Sequence, residues 1–408
     1  MNAWLAITHA EVVLEREVLN NATVLINNGL IHEIGPAEYL KVYRIPTIDA
    51  AGAYLIPGLI DTHNDGVERE INPRPRTNFP SQFAFRNFEN RAVASGITTA
   101  FHAVMFADLL EKARSIARAK EVADMVLAAA NSVIDHKVLY RLDVWTPEAM
   151  DPVFDSMRRG TVQAMSLNDH TPGQGQYRNV EEYQKTMAAY LAKGAIKIKP
   201  EEIAKARLED HVGDRSSVKI VMDRTREEMR HEPFVLLAHD PDTAEKVDEM
   251  AEFGVTIAEF PVTKEAAVQA RKRGMSITMG APNIVRGGSA SGNISAVELA
   301  AEGLLDIICG DYHAPSILYS TLKLVESGLC DFPKAVSMLG SNAAHAFGLV
   351  DTGRIRIGHV ADLCLFRVVE GLPSVQAVIK NGDVEFGNGA LEGKAPFTAP
   401  RKTRPMDR

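Results

Sequence analysis

The sequence predicts a (β/α)8 TIM barrel that carries a small β-sandwich domain formed from both termini. Three observations support this α/β fold class. Apolar strands and helical segments alternate about eight times through the middle of the chain, as in a barrel. Both ends contain short β segments with turn residues, and the middle does not. No GxGxxG follows an early strand, which disfavours the alternative of a doubly wound open sheet.

Length and composition indicate the class of protein. The chain has 408 residues, enough for one large domain plus a small one, and its 46% hydrophobic and 24% charged residues are ordinary for a globular protein. The net charge of -8 gives no global basic field, so we expect neither nucleic acid nor a membrane as a partner. Apolar runs stay below the roughly 20 residues of a membrane helix. No basic segment leads into a long apolar core at the start, so we expect no signal peptide.

Cysteine usage indicates the compartment. Cys309, Cys330 and Cys364 lie far apart, which argues against a disulfide framework and against a CxxC zinc site. A cytoplasmic location is therefore the simplest expectation. The sequence leaves the oligomeric state open, a homo-oligomer included.

The first and last elements are β. Strand-like segments at Ala10–Leu14, Ala22–Ile26 and Ile31–Gly35 are matched near the other end by Ala361–Phe366 and Ala377–Val384, with Asn-Gly turns on both sides. We expect residues 1–54 plus 350–390 to form one composite β-sandwich domain. Residues 391–408, rich in Pro, Arg and Lys, are expected to form a loose tail.

The barrel is predicted over residues 55–349. Helical composition separates most of its strands, for example at Leu109–Ser132 and Thr243–Phe253. Residues 171–232 exceed the length of one crossover, and we interpret them as an insertion that could cover the mouth of the barrel. The predicted strands are Leu59–Asp65, Thr98–Met105, Val138–Val144, Val162–Leu167, Phe234–Ala238, Thr256–Phe260, Ser276–Met279 and Asp306–Cys309.

Polar residues end several of these strands. His63 and Asp65 follow the first apolar run two positions apart, so they point to the same side. Each such residue alone can equally be a satisfied polar group, but several at one end of a barrel predict a metal site, and imidazole with carboxylate suits Zn, Mn or Fe(II). The other strand ends carry Asp143, Asp169 with His170, His239 with Asp240, and Asp311 with Tyr312 and His313.

Two further segments resemble anion sites. Arg74 and Arg76 follow the first strand between prolines, and guanidinium groups suit forked contacts with phosphate oxygens. The glycine-rich run Gly280–Asn293, which includes Arg286, follows the seventh strand, where barrels often bind phosphate, and leads into a helix predicted to start near Ile294. A solvated basic loop and a plain glycine-rich turn are the alternatives.

These motifs resemble the amidohydrolase superfamily. Within it the chain is similar to a phosphonate-catabolism subgroup of diphosphatases, although Asp143 stands where that subgroup usually has Glu and His313 replaces an expected aromatic residue. The resemblance spans nearly the whole chain. It is carried by Pro57–His63, Pro73–Arg76, Ala94–Thr99, Asp169–Gln174, Ala258–Pro261 and Met279–Asn293.

The resemblance implies a metal-dependent hydrolase. Its substrate would be a ribose 5-triphosphate with methylphosphonate at C1, a phosphorylated small molecule cleaved to the 5-phosphate and pyrophosphate, with Asp311 as the proton acceptor. One or two divalent ions, zinc first, then manganese or iron, are implied. The alternatives are a deaminase or amidase on the same scaffold and a non-catalytic pathway scaffold. The implied metal ligands are His63, Asp65, Asp143, His170, His239 and Asp311. The implied substrate-binding residues are Arg74, Arg76, Asn283, Arg286, Gly287, Gly288, Ser289 and Asn293.

Overall fold

The computed structural model describes most of the chain. The described residues are 4–37, 45–74, 77–108, 114–129, 132–169, 171–181, 183–185, 188, 215–289 and 292–388. Within these ranges no helix is both long enough and apolar enough to cross a membrane. The predicted tail 391–408 and much of the predicted insertion 171–232 lie outside them.

Strands from both ends of the chain form one mixed sheet of eight strands. Their order is β16-β15-β14-β5-β1-β2-β3, with β4 paired to β1. The C-terminal β14 runs antiparallel to β5, which joins the two ends of the chain directly. The strands are β1 (Trp4–Val13), β2 (Val18–Asn27), β3 (Leu30–Pro36), β4 (Thr47–Asp49), β5 (Tyr54–Pro57), β14 (Leu363–Val369), β15 (Leu372–Lys380) and β16 (Asp383–Gly387).

The two predicted Asn-Gly turns meet in this sheet. Asn28 and Gly29 have φ of 51° and 82°, and Asn381 and Gly382 have φ of 52° and 80°, as a tight hairpin requires. A Cβ atom at Gly29 would lie 2.7 Å from the carbonyl oxygen of Asn381. Glycine is therefore required there both by the backbone conformation and by the close approach of the second turn.

Eight parallel strands form the barrel. Neighbours in sequence are neighbours in the sheet from β6 to β13. The barrel closes where the amide of Asp311 donates to the carbonyl of His63 (2.8 Å) and the amide of Asp65 donates to the carbonyl of Asp311 (2.9 Å). The strands are β6 (Leu59–Asn64), β7 (Ile97–Phe106), β8 (Asp135–Asp143), β9 (Ala164–Asn168), β10 (Val235–His239), β11 (Ile257–Glu259), β12 (Ser276–Gly280) and β13 (Ile307–Cys309). The predicted fold class is confirmed.

Helices cover the outside of the barrel. Several begin at a side-chain cap, such as Thr243, whose Oγ1 accepts from the amide of Lys246 at 3.1 Å. The helices are α1 (Gly66–Ile71), α2 (Ser81–Ala94), α3 (Ile116–Leu127), α4 (Met150–Met157), α5 (Ser216–His231), α6 (Ala244–Phe253), α7 (Lys264–Lys272), α8 (Ala281–Arg286), α9 (Ala296–Ala301), α10 (Ser316–Glu326), α11 (Phe332–Ser337) and α12 (Ser341–Ala346), with 3-10 turns at Pro147–Ala149 and Gly175–Tyr177.

The barrel interior changes from apolar to polar along the strands. One buried layer consists of apolar side chains from successive strands, packed against Phe347 below. Because side chains alternate between the two faces of a strand, the residue two positions further on also points inward. The apolar layer includes Leu139, Ala164, Leu237 and Ile257, and the next inward residues are Arg141, Ser166, His239 and Glu259. A polar layer therefore lies at the carboxyl ends of the strands.

A buried lysine links the sheet to the barrel. The Nζ of Lys380, at the end of β15, lies 2.6 Å from Oδ2 of Asp362 and 2.9 Å from Oδ2 of Asp135, the first residue of β8. Asp362 is buried and also accepts from the amide of Asn381 at 2.9 Å. This ion pair and its hydrogen bonds fix the position of β15 against the barrel.

Candidate active site

A buried histidine and glutamate form the centre of the polar layer. Nδ1 of His63 lies 2.7 Å from Oε1 of Glu259, and the hydroxyl of Ser166 donates to Oε2 at 2.6 Å. Both Glu259 oxygens are thus engaged, and Nδ1 of His63 carries the proton because a carboxylate can only accept. Nε2 of His63 has no hydrogen-bond partner among the described residues, and Oδ1 of Asp65 lies 3.7 Å from it.

The charges of this pair stabilise each other. Burial alone would raise the pKa of Glu259, but the charge of His63 and its hydrogen bond lower that pKa to about 2. Burial likewise opposes the charged form of His63, yet the Glu259 carboxylate raises the His63 pKa. Glu259 is therefore an anion at neutral pH and holds the imidazole in one orientation.

Two further carboxyl groups, those of Asp65 and Asp311, interact electrostatically with His63. Oδ1 of Asp65 is 3.7 Å from His63 Nε2 and, although buried, has no hydrogen-bond partner among the described residues. Burial favours a raised pKa for Asp65, but Arg141 and His63 lower it. For Asp311, burial and the nearby charge of Asp65 together raise the pKa to about 7. A cation between these two carboxyl groups would favour the ionised form of Asp311.

Three strand ends share an unusual backbone conformation. Asp240, Phe260 and Asp311, which follow β10, β11 and Gly310 after β13, have φ of 54°, 55° and 52°. This left-handed conformation is uncommon for residues other than glycine and is concentrated at functional sites. At Gly280 an added Cβ would lie 2.9 Å from Oδ2 of Asp311, so a larger residue at the end of β12 would displace that carboxylate.

His239 reaches the same cluster but is engaged by an arginine. Nη2 of Arg141 lies 3.0 Å from Nε2 of His239, and Nδ1 of His239 lies 2.7 Å from Oδ2 of Asp240. The same guanidinium donates to Oδ1 of Asn168 through Nε (3.1 Å) and Nη2 (3.0 Å), and its Nη1 lies 3.7 Å from Oδ1 of Asp65. Arg141 is thus buried in the middle of the predicted ligands.

The remaining predicted ligands occupy different surroundings. Asp143 is buried at the end of β8, and its Oδ1 accepts from the amide of Trp145 at 3.0 Å. At the end of β9 the inward side chain is Asn168, while Oδ1 of Asp169 accepts from the indole of Trp145 at 3.1 Å. His170 lies outside the described residues.

Some of these donors fit a divalent ion. Among the described residues, which exclude His170, no three His, Cys, Asp or Glu side chains are close enough to form a complete site. Three features nevertheless fit: Nε2 of His63, the adjacent Oδ1 of Asp65, which has no hydrogen-bond partner among the described residues, and the carboxylate of Asp311. A histidine held at its other nitrogen by a carboxylate is the usual support of a metal ligand. His63, Asp65 and Asp311 are therefore the described residues that would hold a cation, although they do not form a complete site by themselves.

Basic side chains flank the turn that carries Asp311. Nη1 of Arg286 donates to the hydroxyl of Tyr312 at 3.3 Å, and the guanidinium of Arg69 lies 5.0 Å from the centre of the Tyr312 ring. Arg74 is exposed beyond α1, and Arg76 lies outside the described residues. Arg286 is thus placed beside the cluster, at the end of α8.

The segment Gly280–Asn293 is only partly the loop that the sequence predicts. Its first part is α8, and Gly287, with φ of 79°, ends that helix in a left-handed cap. The next helix begins at Ala296 after a Ser295 capping box, two residues later than predicted. Oδ1 of Asn283 accepts from the amide of Ala296 at 2.9 Å, so it holds the loop together. A Cβ atom added at Gly287 or Gly288 would have no neighbour within 4 Å among the described residues. Ser289 and Asn293 are half-buried.

A second buried polar chain links α2 with the strands β7 and β8. Nε2 of His102 is 2.8 Å from Nδ1 of His136, and Nε2 of His136 is 3.2 Å from Oε1 of Glu89, which also accepts from the amide of Val133 at 2.9 Å. Burial raises the pKa of Glu89, but its hydrogen bonds with His136 and Arg86 lower it to about 2. His102, His136 and Glu89 thus form one buried chain of polar contacts.

Sequence reasoning missed Arg141, Ser166, Asn168 and Glu259 as members of the cluster. Glu259 lies in the Ala258–Pro261 motif, which carries the family resemblance, but nothing local connects it to a histidine 196 positions away. Arg141 could have been found from its position two residues before Asp143 on the same strand, because both then point inward.

Comparisons with known proteins identify the family of this chain. Residues 54–385 match the model of the amidohydrolase family. The chain is 32% identical over 371 residues to the alpha-D-ribose 1-methylphosphonate 5-triphosphate diphosphatase of Escherichia coli K12, covering 88% of this chain and 94% of that protein.

Solved structures show the same fold. An enamidase aligns with a TM-score of 0.59 at 18% identity, covering 93% of this chain and 95% of its own. The N-acetylglucosamine-6-phosphate deacetylase of Pasteurella multocida aligns with a TM-score of 0.58 at 14% identity, covering 94% and 99%.

Proposed function

Because this chain belongs to the amidohydrolase family, we propose that it is a metal-dependent hydrolase acting on a phosphoanhydride bond. Its substrate would be a ribose 5-triphosphate with methylphosphonate at C1, and its products the 5-phosphate and pyrophosphate, as part of phosphonate catabolism. The Escherichia coli relative named for a diphosphatase of that substrate supports this choice.

The position of Arg286 carries the proposal. Its guanidinium contacts Tyr312, the residue after Asp311, and Arg69 lies against the ring of the same tyrosine. Two cationic side chains thus flank the turn that presents the candidate proton acceptor. Cleavage of a phosphoanhydride develops negative charge on the departing pyrophosphate, which guanidinium groups stabilise through forked hydrogen bonds. Hydrolysis of a neutral amide has no comparable need for such charge.

The other residues would have separate roles in this reaction. His63, Asp65 and Asp311 would hold a divalent ion, with zinc proposed first and manganese or iron as alternatives. Asp143 and His170 remain proposed as further ligands, whereas the predicted ligand His239 is engaged by Arg141. A bound ion of this kind activates water and neutralises phosphate charge. Asp311, buried and with a raised pKa, accepts the proton of the attacking water. Arg74, Arg76 and the 283–293 loop would extend the phosphate contacts.

The test is a substrate panel measured by separate products. Protein loaded with Zn²⁺ or Mn²⁺ is incubated with the ribose 5-triphosphate, with ATP and with small amides, and 31P NMR and an ammonia assay follow each product. We expect pyrophosphate and the 5-phosphate from the ribose triphosphate. Ammonia from an amide with no pyrophosphate from any triphosphate would replace the diphosphatase by a deaminase or amidase. A loaded protein that hydrolyses nothing would favour a non-catalytic scaffold.

Arg286→Ala tests the phosphate contact directly. A charge-assisted hydrogen bond contributes about 1.5–3 kcal/mol, so we expect kcat/KM for the triphosphate to fall roughly 10- to 100-fold. Hydrolysis of a small uncharged ester should change little. Arg273→Ala, an exposed arginine at the end of α7 that pairs with Asp248, is the matched control. Equal losses on the triphosphate and the ester would show that Arg286 does not bind phosphate.

A further inference from the structure

Arg141 is a buried cation at the centre of the candidate metal site. Only 5% of its surface is exposed to solvent. Its guanidinium lies 3.0 Å from Oδ1 of Asn168, 3.0 Å from Nε2 of His239 and 3.7 Å from Oδ1 of Asp65. A guanidinium stays protonated in proteins, so this charge is permanent. Burying such a charge is costly unless it is paired, and Asp65 is the anion that pairs with it.

The contact with His239 determines the state of that imidazole. Arginine has only donors, so Nε2 of His239 accepts from Nη2 of Arg141 and must be unprotonated. Nδ1, 2.7 Å from Oδ2 of Asp240, then carries the proton. The lone pair of Nε2, which is the one that a metal ion would use, is therefore already directed at a cation.

We infer that Arg141 takes the place of a second metal ion. The chain would hold one divalent ion at His63, Asp65 and Asp311, while the guanidinium occupies the neighbouring position between Asp65 and His239. A second divalent ion there would lie against a permanent positive charge in a buried, weakly screened environment, which disfavours it. This inference rests on the proposed function for the first ion alone.

Removal of the guanidinium should open a cation position. Arg141→Met keeps an unbranched side chain of similar length but removes the charge and the donors. After equilibrium dialysis against Mn²⁺, elemental analysis counts the ions bound per chain. We expect the variant to bind one more ion per chain than the wild type, and an equal number in both overturns the inference. The control Arg273→Met, on the exposed surface, should match the wild type.

Two further measurements keep the inference testable. The double variant Arg141→Met/His239→Ala should lose the additional ion, because Nε2 of His239 is its expected ligand; an ion retained there would place the gain elsewhere and contradict the inference. If Arg141→Met does not fold, the EPR spectrum of Mn²⁺-loaded wild type decides. A spectrum of isolated ions supports the inference, and that of an exchange-coupled pair overturns it. The wild-type ion count alone bears on the proposed function, whereas the difference between variants bears on Arg141.

Discussion

The variant Glu259→Gln removes the charge behind His63 while keeping the shape of the site. The amide oxygen of glutamine can still accept from Nδ1 of His63, and its NH2 group can donate to the hydroxyl of Ser166, so both contacts of Glu259 have replacements. What disappears is the negative charge that raises the pKa of His63 and strengthens it as a ligand.

The size of the effect follows from this geometry. Glu259 is fully buried and its contact with His63 is 2.7 Å long, so the charge is not screened by solvent. Loss of a supporting carboxylate typically lowers metal affinity 10- to 100-fold, or about 1.4–2.7 kcal/mol. We expect the Kd for Zn²⁺ of Glu259→Gln to rise by that factor.

Competition with a chromophoric chelator measures this Kd, and thermal unfolding checks that the variant is folded. Ser166→Ala is the matched control, because it removes the 2.6 Å hydrogen bond to Oε2 of Glu259 but leaves the charge. We expect its Kd to change less than tenfold. If Glu259→Gln binds Zn²⁺ within twofold of the wild type, Glu259 does not support a metal ligand, and His63 loses its assigned role.

Two further predictions concern stability outside the cluster. Because the pKa of Glu89 falls from 4.5 to about 2 on folding, its carboxylate contributes about 3 kcal/mol that is present above about pH 4.5 and is lost as the pH falls toward 2. Glu89→Gln should therefore be less stable at pH 7 and show a flatter loss of stability in acid, as urea unfolding at several pH values can test; parallel profiles would contradict this role. Lys380→Met leaves the buried Asp362 without its cation and should lower the free energy of unfolding by about 3–5 kcal/mol, with partial recovery in Lys380→Met/Asp362→Asn. No recovery in the double variant would mean that packing of Lys380, and not its charge, matters.

The barrel could be predicted because its strands are buried on both faces. Each of the eight strands reads as an apolar run, and the observed ends differ from the predicted ones by no more than a few residues. The terminal sheet could be predicted from its two Asn-Gly turns, but the short strands β4 and β5 carry too few residues for a pattern. The division into domains with an insertion at residues 171–232 remains a prediction.

The site could be predicted only in part. Strand ends indicated His63, Asp65, His239 and Asp311, and the structure brings His63 and Asp65 within 3.7 Å of each other. Periodicity gives the direction of a side chain but not its partner across the barrel, so the contacts of Glu259 with His63 and of Arg141 with His239 required coordinates.

The structure of the glycine-rich segment Gly280–Asn293 could not be predicted fully from its residue pattern. The sequence predicts that Gly287 is part of a phosphate-binding loop. In the structure it ends α8, because glycine readily adopts the left-handed conformation that follows a helix. Glycine thus suits both a phosphate-binding loop and the end of a helix, and only the backbone conformation distinguishes the two. Arg286 nevertheless lies beside Tyr312, as a phosphate-binding role requires.

Anomalous diffraction from crystals grown with Mn²⁺ and pyrophosphate tests the central claim most directly. We predict one anomalous peak at the barrel mouth, from an ion bound by Nε2 of His63 and the carboxylates of Asp65 and Asp311. Pyrophosphate should contact Arg286. No peak at these residues, or pyrophosphate bound away from Arg286, would contradict the proposed metal-dependent diphosphatase.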